Sequence, residues 1–380
     1  MDPDQYTTLA AALQAVPDPR QRRGQRYPWS LLLTLIMAAL VNGEQHGRGI
    51  GQWVQEHAAE LGERIGWPGP RLPSEATLRR ALRDVDLAAL EDRVMRLCPA
   101  TEGPQPGRWQ GQALDGKALR GAHAHGRPLH LLGLVSHQGR VLGQRAVAEH
   151  SNELTTAPAL LTGRTLRGTV TTLDAELAQR PLAQQIRAQG GHYLMVVKAN
   201  QPRLLQRSGS VFPYPVWHAG QPASKPRVVR TVEKGHGRLE IRTLEASGQL
   251  GKRLSWPGVR QVLRRTCRRV ELPTGKLTET VHYAVTSLPP EAASVAELER
   301  LWRGHWVSEN RVHYVRDVTL GEDGGQASRG NTPQALAILR NALLNVLRSQ
   351  GWQRIADALR HYGAAVERAL LLIGALPAGL

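Results

Sequence analysis

The sequence predicts an α/β protein in which helices cover a mixed β-sheet, with a β-rich insertion and a helical N-terminal domain. Three observations lead to this prediction. Apolar residues recur at helical spacing through residues 1–105. A hairpin followed by strand, helix and strand is predicted for residues 106–204. Strand-like segments then fill residues 205–285, before helical spacing returns in residues 286–380.

The N-terminal region contains predicted helices that are joined by a short turn. Ser74 is a predicted helix N-cap, and Glu75 lies in the first turn, where the helix dipole favours an acid. The helices on either side of the turn GWPGPRLPS could form a helix-turn-helix. Its predicted DNA-facing residues are Arg79, Arg80 and Arg83. A helical bundle with solvated arginines is an equally good interpretation.

The central region begins after EGPQPGRWQ, where the pattern changes to strands alternating with helices. RWQGQALDGKALRG predicts a strand that ends near Asp115, and PLHLLGLVSHQGRVLGQRAV predicts a hairpin. SNELTTAPALLTG predicts a helix, and LRGTVTTLDAE a strand that ends at Asp174. AQRPLAQQIRAQGG and HYLMVVKAN then predict a helix and a strand, which completes a mixed sheet.

The positive charge is concentrated in one part of the chain. The formal net charge is +17 and the isoelectric point about 10.8. Residues 1–110 contain 13 basic and 13 acidic residues, whereas residues 201–280 contain 16 basic and 5 acidic residues. Because lysine and arginine release condensed counterions when they neutralise phosphates, this distribution favours a nucleic acid as the partner.

The composition also bears on the compartment. Cys98 and Cys267 lie far apart in the sequence, so a disulfide framework is not expected, and a reducing interior is. The first twenty residues are acidic where a signal peptide is basic, and no apolar run reaches the length of a membrane span. These features predict a cytoplasmic protein, associated with the nucleoid if it binds DNA.

Acidic residues follow two of the predicted strands, at Asp115 and Asp174. One acid at a strand end usually begins a turn. Two acids on neighbouring strands would meet at one edge of the sheet. The segment HWVSENRVHYVRDV (305–318), whose valines have helical spacing, would then add Glu309. Asp317, near the end of this predicted helix, is the rival third acid.

These carboxylates predict a metal site. Three carboxylates in one pocket repel each other, so one must take up a proton unless a cation is bound. Oxygen ligands without cysteine favour Mg²⁺ or Mn²⁺ over Zn²⁺. Two such ions, about 4 Å apart, activate an attacking water and stabilise the leaving oxygen in phosphodiester chemistry. A basic protein with this site suits a nucleic-acid substrate.

Motifs along nearly the whole chain resemble those of the H-repeat-associated insertion-sequence transposases, a family of the DDE, RNase H-like superfamily. The motifs are, in order, DPRQRRGQRYPW, PSEATLRRAL, LDGKALRGA, SNELTTAP, LDAELAQ, GGHYLMVVKANQP, KGHGRLEIRT, HWVSENRVHYVRDVTLGED and GNTPQALAILRNALLNVLR. The resemblance implies an RNase H-like sheet and a triad of Asp115, Asp174 and Glu309 that binds two divalent metal ions. The implied activity is cleavage of element ends and joining of their 3′-hydroxyls to target DNA.

The superfamily has a signature around its last acid, Tyr-x2-Arg-x3-Glu-x6-Lys. In this sequence its four positions are Trp302, His305, Glu309 and Arg316. On an α-helix these residues would share one face. The resemblance therefore implies that an aromatic ring, a ring able to carry charge and a cation contact the DNA near the cut.

Four further residues are candidates for the site. Lys198, at the end of a predicted strand, is predicted to contact a DNA phosphate. Lys117, two residues after Asp115, would contact a phosphate or be a solvated turn lysine. Asn152, which matches the SNE motif, and Asn310, which follows Glu309, are predicted to support the site from behind the triad.

Taken with the resemblance, the sequence predicts a DDE-type transposase that acts on double-stranded DNA, both terminal inverted repeats and target. A homodimer is expected, because two element ends must be cut together. Two alternatives stay open. One is a catalytically silent or co-opted DNA-binding protein derived from a transposase, and the other is a metal-dependent DNA nuclease without strand transfer.

Overall fold

The computed structural model describes residues 6–23, 25–97, 108–124, 127–212, 227–235, 237–250, 254–324 and 330–376. Its helices and strands follow the order that the sequence predicts, with helices first, then a sheet with helices packed against it, then helices again. None of the helices within these ranges is long and apolar enough to span a membrane.

Six helices precede the sheet. They are α1 (Leu9–Gln14), α2 (Trp29–Val41), α3 (Gly47–Glu56), α4 (Ala58–Arg64), α5 (Glu75–Asp84) and α6 (Leu87–Met95). Helix α2 is apolar on every side and is buried along most of its length, as a central core helix is. Ser74 is the N-cap residue of α5, but its hydroxyl contacts the Thr77 hydroxyl at 3.1 Å instead of a backbone amide.

The described residues form a mixed sheet of nine strands in the order β3-β2-β1-β4-β5-β9-β8-β7-β6. The strands are β1 (Gln110–Ala124), β2 (Arg127–Ser136), β3 (Val141–Ala146), β4 (Thr169–Leu173), β5 (His192–Val197), β6 (Arg227–Gly235), β7 (Arg238–Ser247), β8 (Gln261–Glu271) and β9 (Leu277–Thr286). Strands β1, β4 and β5 run parallel, and the other pairs are antiparallel. The predicted fold class, a mixed sheet covered by helices, is confirmed.

The helices that follow β3, β4, β5 and β9 flank the sheet. They are α7 (Glu153–Leu161), α8 (Arg180–Ala188), α9 (Pro202–Ser210) and α10 (Val295–Gly304). The basic stretch between residues 205 and 285 is rich in strands, as predicted, and β9 pairs with β5, so these strands extend the same sheet. Whether residues 205–285 form a separate domain stays a prediction.

The last helices share a core with the first ones. They are α11 (Thr332–Ser349), α12 (Ile355–Tyr362) and α13 (Val366–Ile373). One cluster of buried apolar side chains joins α1 to α6 with α11 to α13. Helix α11 is buried along most of its length, since α5, α6 and β3 all pack against it. The N-terminal helices therefore cover the C-terminal helices and do not stand apart from the rest of the fold.

A π-helical segment connects α10 to α11 and carries Glu309. Its two runs are Ser308–His313 and Val315–Thr319, and a short 3-10 helix, Glu322–Gly324, follows. The hydrogen bonds of a π-helix span five residues, so its turns are wider than those of an α-helix. The buried residues of the segment lie four apart, at Ser308, Val312, Arg316 and Leu320. The prediction of an ordinary α-helix is therefore wrong here, but the predicted core contact of its valines is present at Val312, which is buried, whereas Val318 is exposed.

Candidate active site

Asp115 and Asp174 lie side by side. Strands β1 and β4 are parallel, and their register ends with Leu114 opposite Leu173, so the next residue on each chain is an aspartate. Asp174 directly follows β4, as predicted. Strand β1, however, continues to Ala124, because β2 pairs with it beyond Asp115. The predicted strand end near Asp115 is wrong, but the predicted meeting of the two aspartates is present.

Asp115 is largely buried, with 29% of its side chain exposed. Burial raises the pKa of its carboxyl group, and the Ser308 hydroxyl opposes this by donating a hydrogen bond of 2.8 Å to Oδ2. His313 Nδ1 lies 3.8 Å from the same oxygen, but burial lowers the pKa of His313 to about 3, which leaves the ring neutral near pH 7. The carboxylate thus has a hydrogen-bond donor but no full positive charge from these two neighbours.

His305 lies among the three predicted catalytic acids. Burial lowers the pKa of its ring, and the charges of Asp115, Asp174 and Glu309 act on it in the opposite direction. Because the net effect is a lowered pKa, the neutral ring of His305 is favoured near pH 7, and its predicted contact with DNA stays a prediction.

Asp174 and Lys198 form a second part of the site. Lys198 Nζ lies 3.7 Å from Asp174 Oδ2, and the backbone amide of Glu176 donates a 2.6 Å hydrogen bond to Oδ1. The side chains of Lys198 and Asp174 are 57% and 41% exposed. Lys198 therefore lies beside Asp174 with its ammonium accessible, and the predicted phosphate contact stays a prediction.

The donor set suits a hard divalent cation, because Asp115, Asp174 and Glu309 offer only carboxylate oxygens. The arrangement is open: among the described residues, no three His, Cys, Asp or Glu side chains form a ready-made ligand cluster. Glu309 is exposed on the π-helical segment. The chemistry of the three carboxylates fits a metal ion. Their side chains do not yet form a compact ligand cluster.

Three residues predicted to contact DNA are buried. Trp302 is 4% exposed and packs in the core between α10 and the sheet, with the Arg265 guanidinium 4.9 Å from its ring centre. Arg316 and Lys117 are 4% and 7% exposed. These predictions are corrected, because the wide turns of the π-helical segment carry Arg316 inward and because Lys117 lies on β1 and not in a turn.

The buried cations belong to an ion-pair network, named here the charge cluster: Lys117, Arg316, Asp317, Glu322 and Arg340. Lys117 pairs with Asp317, and Arg316 Nη2 donates to Glu322 at 2.8 Å. Arg340 Nη1 donates to the same Glu322 oxygen at 3.3 Å. Asp317, the rival third acid, is thus the partner of Lys117. Glu322 is 5% exposed.

The remaining predicted residues lie away from the triad or beside it. Arg79, Arg80 and Arg83 are exposed on α5, where Arg79 pairs with Glu75 and Arg83 with Asp84. Their contact with DNA stays a prediction. Asn152 is the N-cap of α7 and accepts a 3.0 Å hydrogen bond from the Thr155 amide. Asn310 is exposed next to Glu309. Supporting roles for both asparagines stay predictions.

Sequence reasoning did not identify several neighbours of the site. His130 Nε2 contacts Glu153 Oε1 beside Asp115, and Thr172 contacts both His137 and His305. Glu153 and His130 also line a cleft of about 610 Å³ that extends past Glu176. The SNE motif contains Glu153 and the superfamily signature contains His305, but no pattern marked His130, His137 or Thr172. The other contacts join strands far apart in sequence, so no local pattern could have revealed them.

The family models place the chain in a known class. A model described as Transposase DDE domain matches residues 92–346, and one described as DDE_Tnp_1-associated matches residues 10–97. The first match alone covers more than half of the sequence. The chain belongs to the transposase DDE domain family. The domains of this family generally use divalent metal ions.

Proteins with similar sequences are also described as transposases. The chain is 27% identical over 356 residues to a protein of Escherichia coli O157:H7 called "Putative transposase YncI", covering 90% of this chain and 87% of that protein. It is 28% identical over 352 residues to "H repeat-associated putative transposase YhhI" of Escherichia coli K12, covering 89% and 90%. The resemblance to the H-repeat-associated transposases is thereby confirmed. A solved piggyBac transposase synaptic complex with hairpin DNA aligns with a TM-score of only 0.46 and 9% identity, over 93% of this chain and 74% of that one.

Proposed function

We propose that the protein is a DNA transposase that cuts the ends of a mobile element and joins the freed 3′-hydroxyls to target DNA. The observation that carries the proposal is that Asp115 and Asp174 lie side by side where the register of the parallel strands β1 and β4 ends, with the charges of both acids and of Glu309 acting on the His305 ring. Membership of the family supports the class of activity.

In this proposal Asp115, Asp174 and Glu309 hold two Mg²⁺ or Mn²⁺ ions, which would activate the attacking oxygen and stabilise the leaving oxygen. The chain's own residues prepare the ligands. The Ser308 hydroxyl favours the ionised form of Asp115, against the effect of burial. Asp174 and Glu309 are more exposed, so the face of the site that would meet DNA carries their carboxylates.

The proposed partner is double-stranded DNA, both the terminal inverted repeats and the target. Lys198 supports this proposal because its exposed ammonium, beside Asp174, can hold a phosphate next to the triad. The exposed arginines of α5 are the proposed second contact, away from the reacting strand. A homodimer assembled on DNA follows from the need to cut two element ends together.

The test uses a labelled duplex that carries the repeats flanking the gene, together with a supercoiled target plasmid. With Mg²⁺ or Mn²⁺ we expect a nick at the repeat end, followed by products in which the labelled end is joined to the plasmid. With EDTA neither product should form. Unjoined cuts that persist at saturating target DNA would contradict strand transfer.

The same assay separates the two alternative functions. A silent DNA-binding protein would shift the duplex in EDTA and cut it with neither metal. A metal-dependent nuclease would release cut ends and join none of them. Neither alternative has an observation in its favour that the transposase lacks, because all three acids are present and Asp115 lies beside Asp174.

A further inference from the structure

The hydroxyl of Thr172, next to the candidate active site, contacts three polar groups. Thr172 Oγ1 lies 3.1 Å from the Gln112 carbonyl oxygen, 3.1 Å from His305 Nδ1 and 3.2 Å from His137 Nε2. Thr172 itself is 1% exposed, and it stands on β4 two residues before Asp174. Three polar partners therefore meet one buried oxygen.

A count of protons decides how these contacts are made. A hydroxyl has one proton to donate and two lone pairs that accept. The Gln112 carbonyl can only accept, so it must receive the Thr172 proton. Both imidazole rings must then donate to Thr172 Oγ1, His305 from Nδ1 and His137 from Nε2. No other arrangement satisfies all three contacts.

His137 is held tightly in this arrangement. A Cβ on Gly111 of β1 or on Gly304 at the end of α10 would overlap its ring, so the two glycines make room for it. Its Nδ1 atom has no hydrogen-bond partner among the described residues. Burial lowers the pKa of His137 to about 3, which agrees with a neutral ring whose Nδ1 carries no proton.

The consequence falls on His305. With its proton on Nδ1, the neutral ring presents a lone pair at Nε2, on the side away from Thr172. In the proposed site these carboxylates would hold the metal ions, so they are not the donors for this lone pair. Imidazole nitrogen is also a poor ligand for Mg²⁺, which prefers oxygen. A hydroxyl or water that enters the site is the partner that fits.

We propose that Thr172 and His137 are positioning residues that hold His305 with its proton on Nδ1, so that Nε2 accepts a hydrogen bond from the attacking water or 3′-hydroxyl. This inference rests on the proposed function, because it assigns the nucleophile of that reaction. His305 would orient the attacking oxygen towards the phosphate. Loss of this orientation would slow the reaction step more than it weakens DNA binding.

The first test reads the tautomer directly. Two-bond proton–nitrogen NMR correlations of ¹⁵N-histidine-labelled full-length protein distinguish Nδ1–H from Nε2–H rings, and spectra of His305→Gln and His137→Gln assign the two signals. We expect Nδ1–H for His305 and Nε2–H for His137 in the wild type and in Thr172→Ser. In Thr172→Val, which keeps the shape but lacks the hydroxyl, His305 should lose its single tautomer. A wild-type His305 with its proton on Nε2 would overturn the proposal.

The second test reads the reaction. Thr172→Val should lower kcat for nicking about 10- to 100-fold with little change in KM for the duplex, because a misaligned nucleophile slows chemistry and not binding. Thr172→Ser should restore most of the rate. Equal rates in the two folded variants would contradict the positioning role. If the wild type cuts no DNA at all, the proposed function fails while the tautomer still reports on Thr172.

Discussion

At the scale of single residues, the surroundings of Asp115 depend on a glycine. A Cβ at Gly116 would overlap the Glu153 carboxylate and come within 2.8 Å of His130 Nε2. Glycine therefore lets the Glu153–His130 pair lie directly beside the Asp115 backbone. After burial, the charge of Glu153 is a further cause that raises the pKa of Asp115, so this pair contributes to the electrostatics of the site.

The Glu153–His130 pair predicts a pH-dependent stability. The hydrogen bond that His130 donates to the Glu153 carboxylate raises the pKa of His130 above its ordinary value of 6.5. A raised folded-state pKa stabilises the fold fully below the unfolded value, and this stabilisation is lost as pH rises through the folded value. We therefore expect Glu153→Gln to lose stability at pH 5.5 and to match the wild type once the pH exceeds the folded pKa of His130.

The measurement is the free energy of unfolding by denaturant across this pH range, with the His130 pKa followed by NMR. Glu176→Gln is the matched control, because Glu176 acts on His130 through its charge and donates or accepts no hydrogen bond with it. The control should shift the His130 pKa less. A stability difference that is the same at every pH would contradict the account of this pair.

At the scale of elements, the π-helical segment is fixed to β1 and α11 by the charge cluster. Glu322 is the acid shared by Arg316 and Arg340, and Lys117 lies 3.9 Å from its other oxygen. Glu322→Gln would leave these buried cations short of a negative charge. We expect it to lower the free energy of unfolding by about 3–5 kcal/mol, the usual result of breaking a buried ion pair.

The control for this prediction is an exposed pair of the same types. Glu279, with 43% of its side chain exposed, pairs with Arg268 on the neighbouring strand. Glu279→Gln should cost less than about 1 kcal/mol, because water screens that interaction. Denaturant unfolding monitored by circular dichroism compares the two variants. Similar small losses in both would mean that the charge cluster does not hold the segment in place.

The π-helical segment is where the prediction of a shared helix face from the sequence failed. An α-helix repeats every 3.6 residues, and on that period Trp302, Glu309 and Arg316 share a face. The wider turns of the π-helix separate them, so Glu309 is exposed while Arg316 is buried. Rare π-helices occur often at functional sites, but side-chain pattern alone does not distinguish them from α-helices.

Local pattern was sufficient elsewhere. Strand β4 is a short apolar run closed by a turn, so its end at Asp174 could be predicted. The position of Asp115 beside it was also predictable, but the length of β1 depends on its pairing with β2. Contacts such as that between Lys117 and Asp317 join residues 200 positions apart. They arise from tertiary packing, which periodicity in one sequence does not reveal.

At the scale of the whole molecule, the first and last helices share one hydrophobic core, so we expect them to unfold together. Helix α2 contacts α13 and α11, and α11 in turn contacts α5, α6 and β3. These helices bury their apolar faces against each other. The N-terminal helices should therefore not unfold independently of the C-terminal helices, even though separate family models match the two regions.

Native-state hydrogen exchange tests this cooperativity. We expect the slowest amides of α2 and α11 to exchange with the same free energy of opening, because either helix loses its core when the other unfolds. Amides of β6, a strand at the edge of the sheet with Val228 and Val232 exposed, serve as the internal control and should open more easily. Exchange from α2 at a clearly lower free energy than α11 would contradict the shared core.

The measurement that tests the central claim most directly is metal-dependent nicking of the terminal-repeat duplex by single-residue variants. Asp115→Asn, Asp174→Asn and Glu309→Gln each keep the shape of the side chain and remove its charge. Each should abolish nicking while leaving DNA binding in EDTA intact, because a metal ligand is lost. Glu291→Gln, an exposed acid on the loop before α10, should cut like the wild type. Nicking at the wild-type rate by any of the three triad variants would contradict the proposed active site.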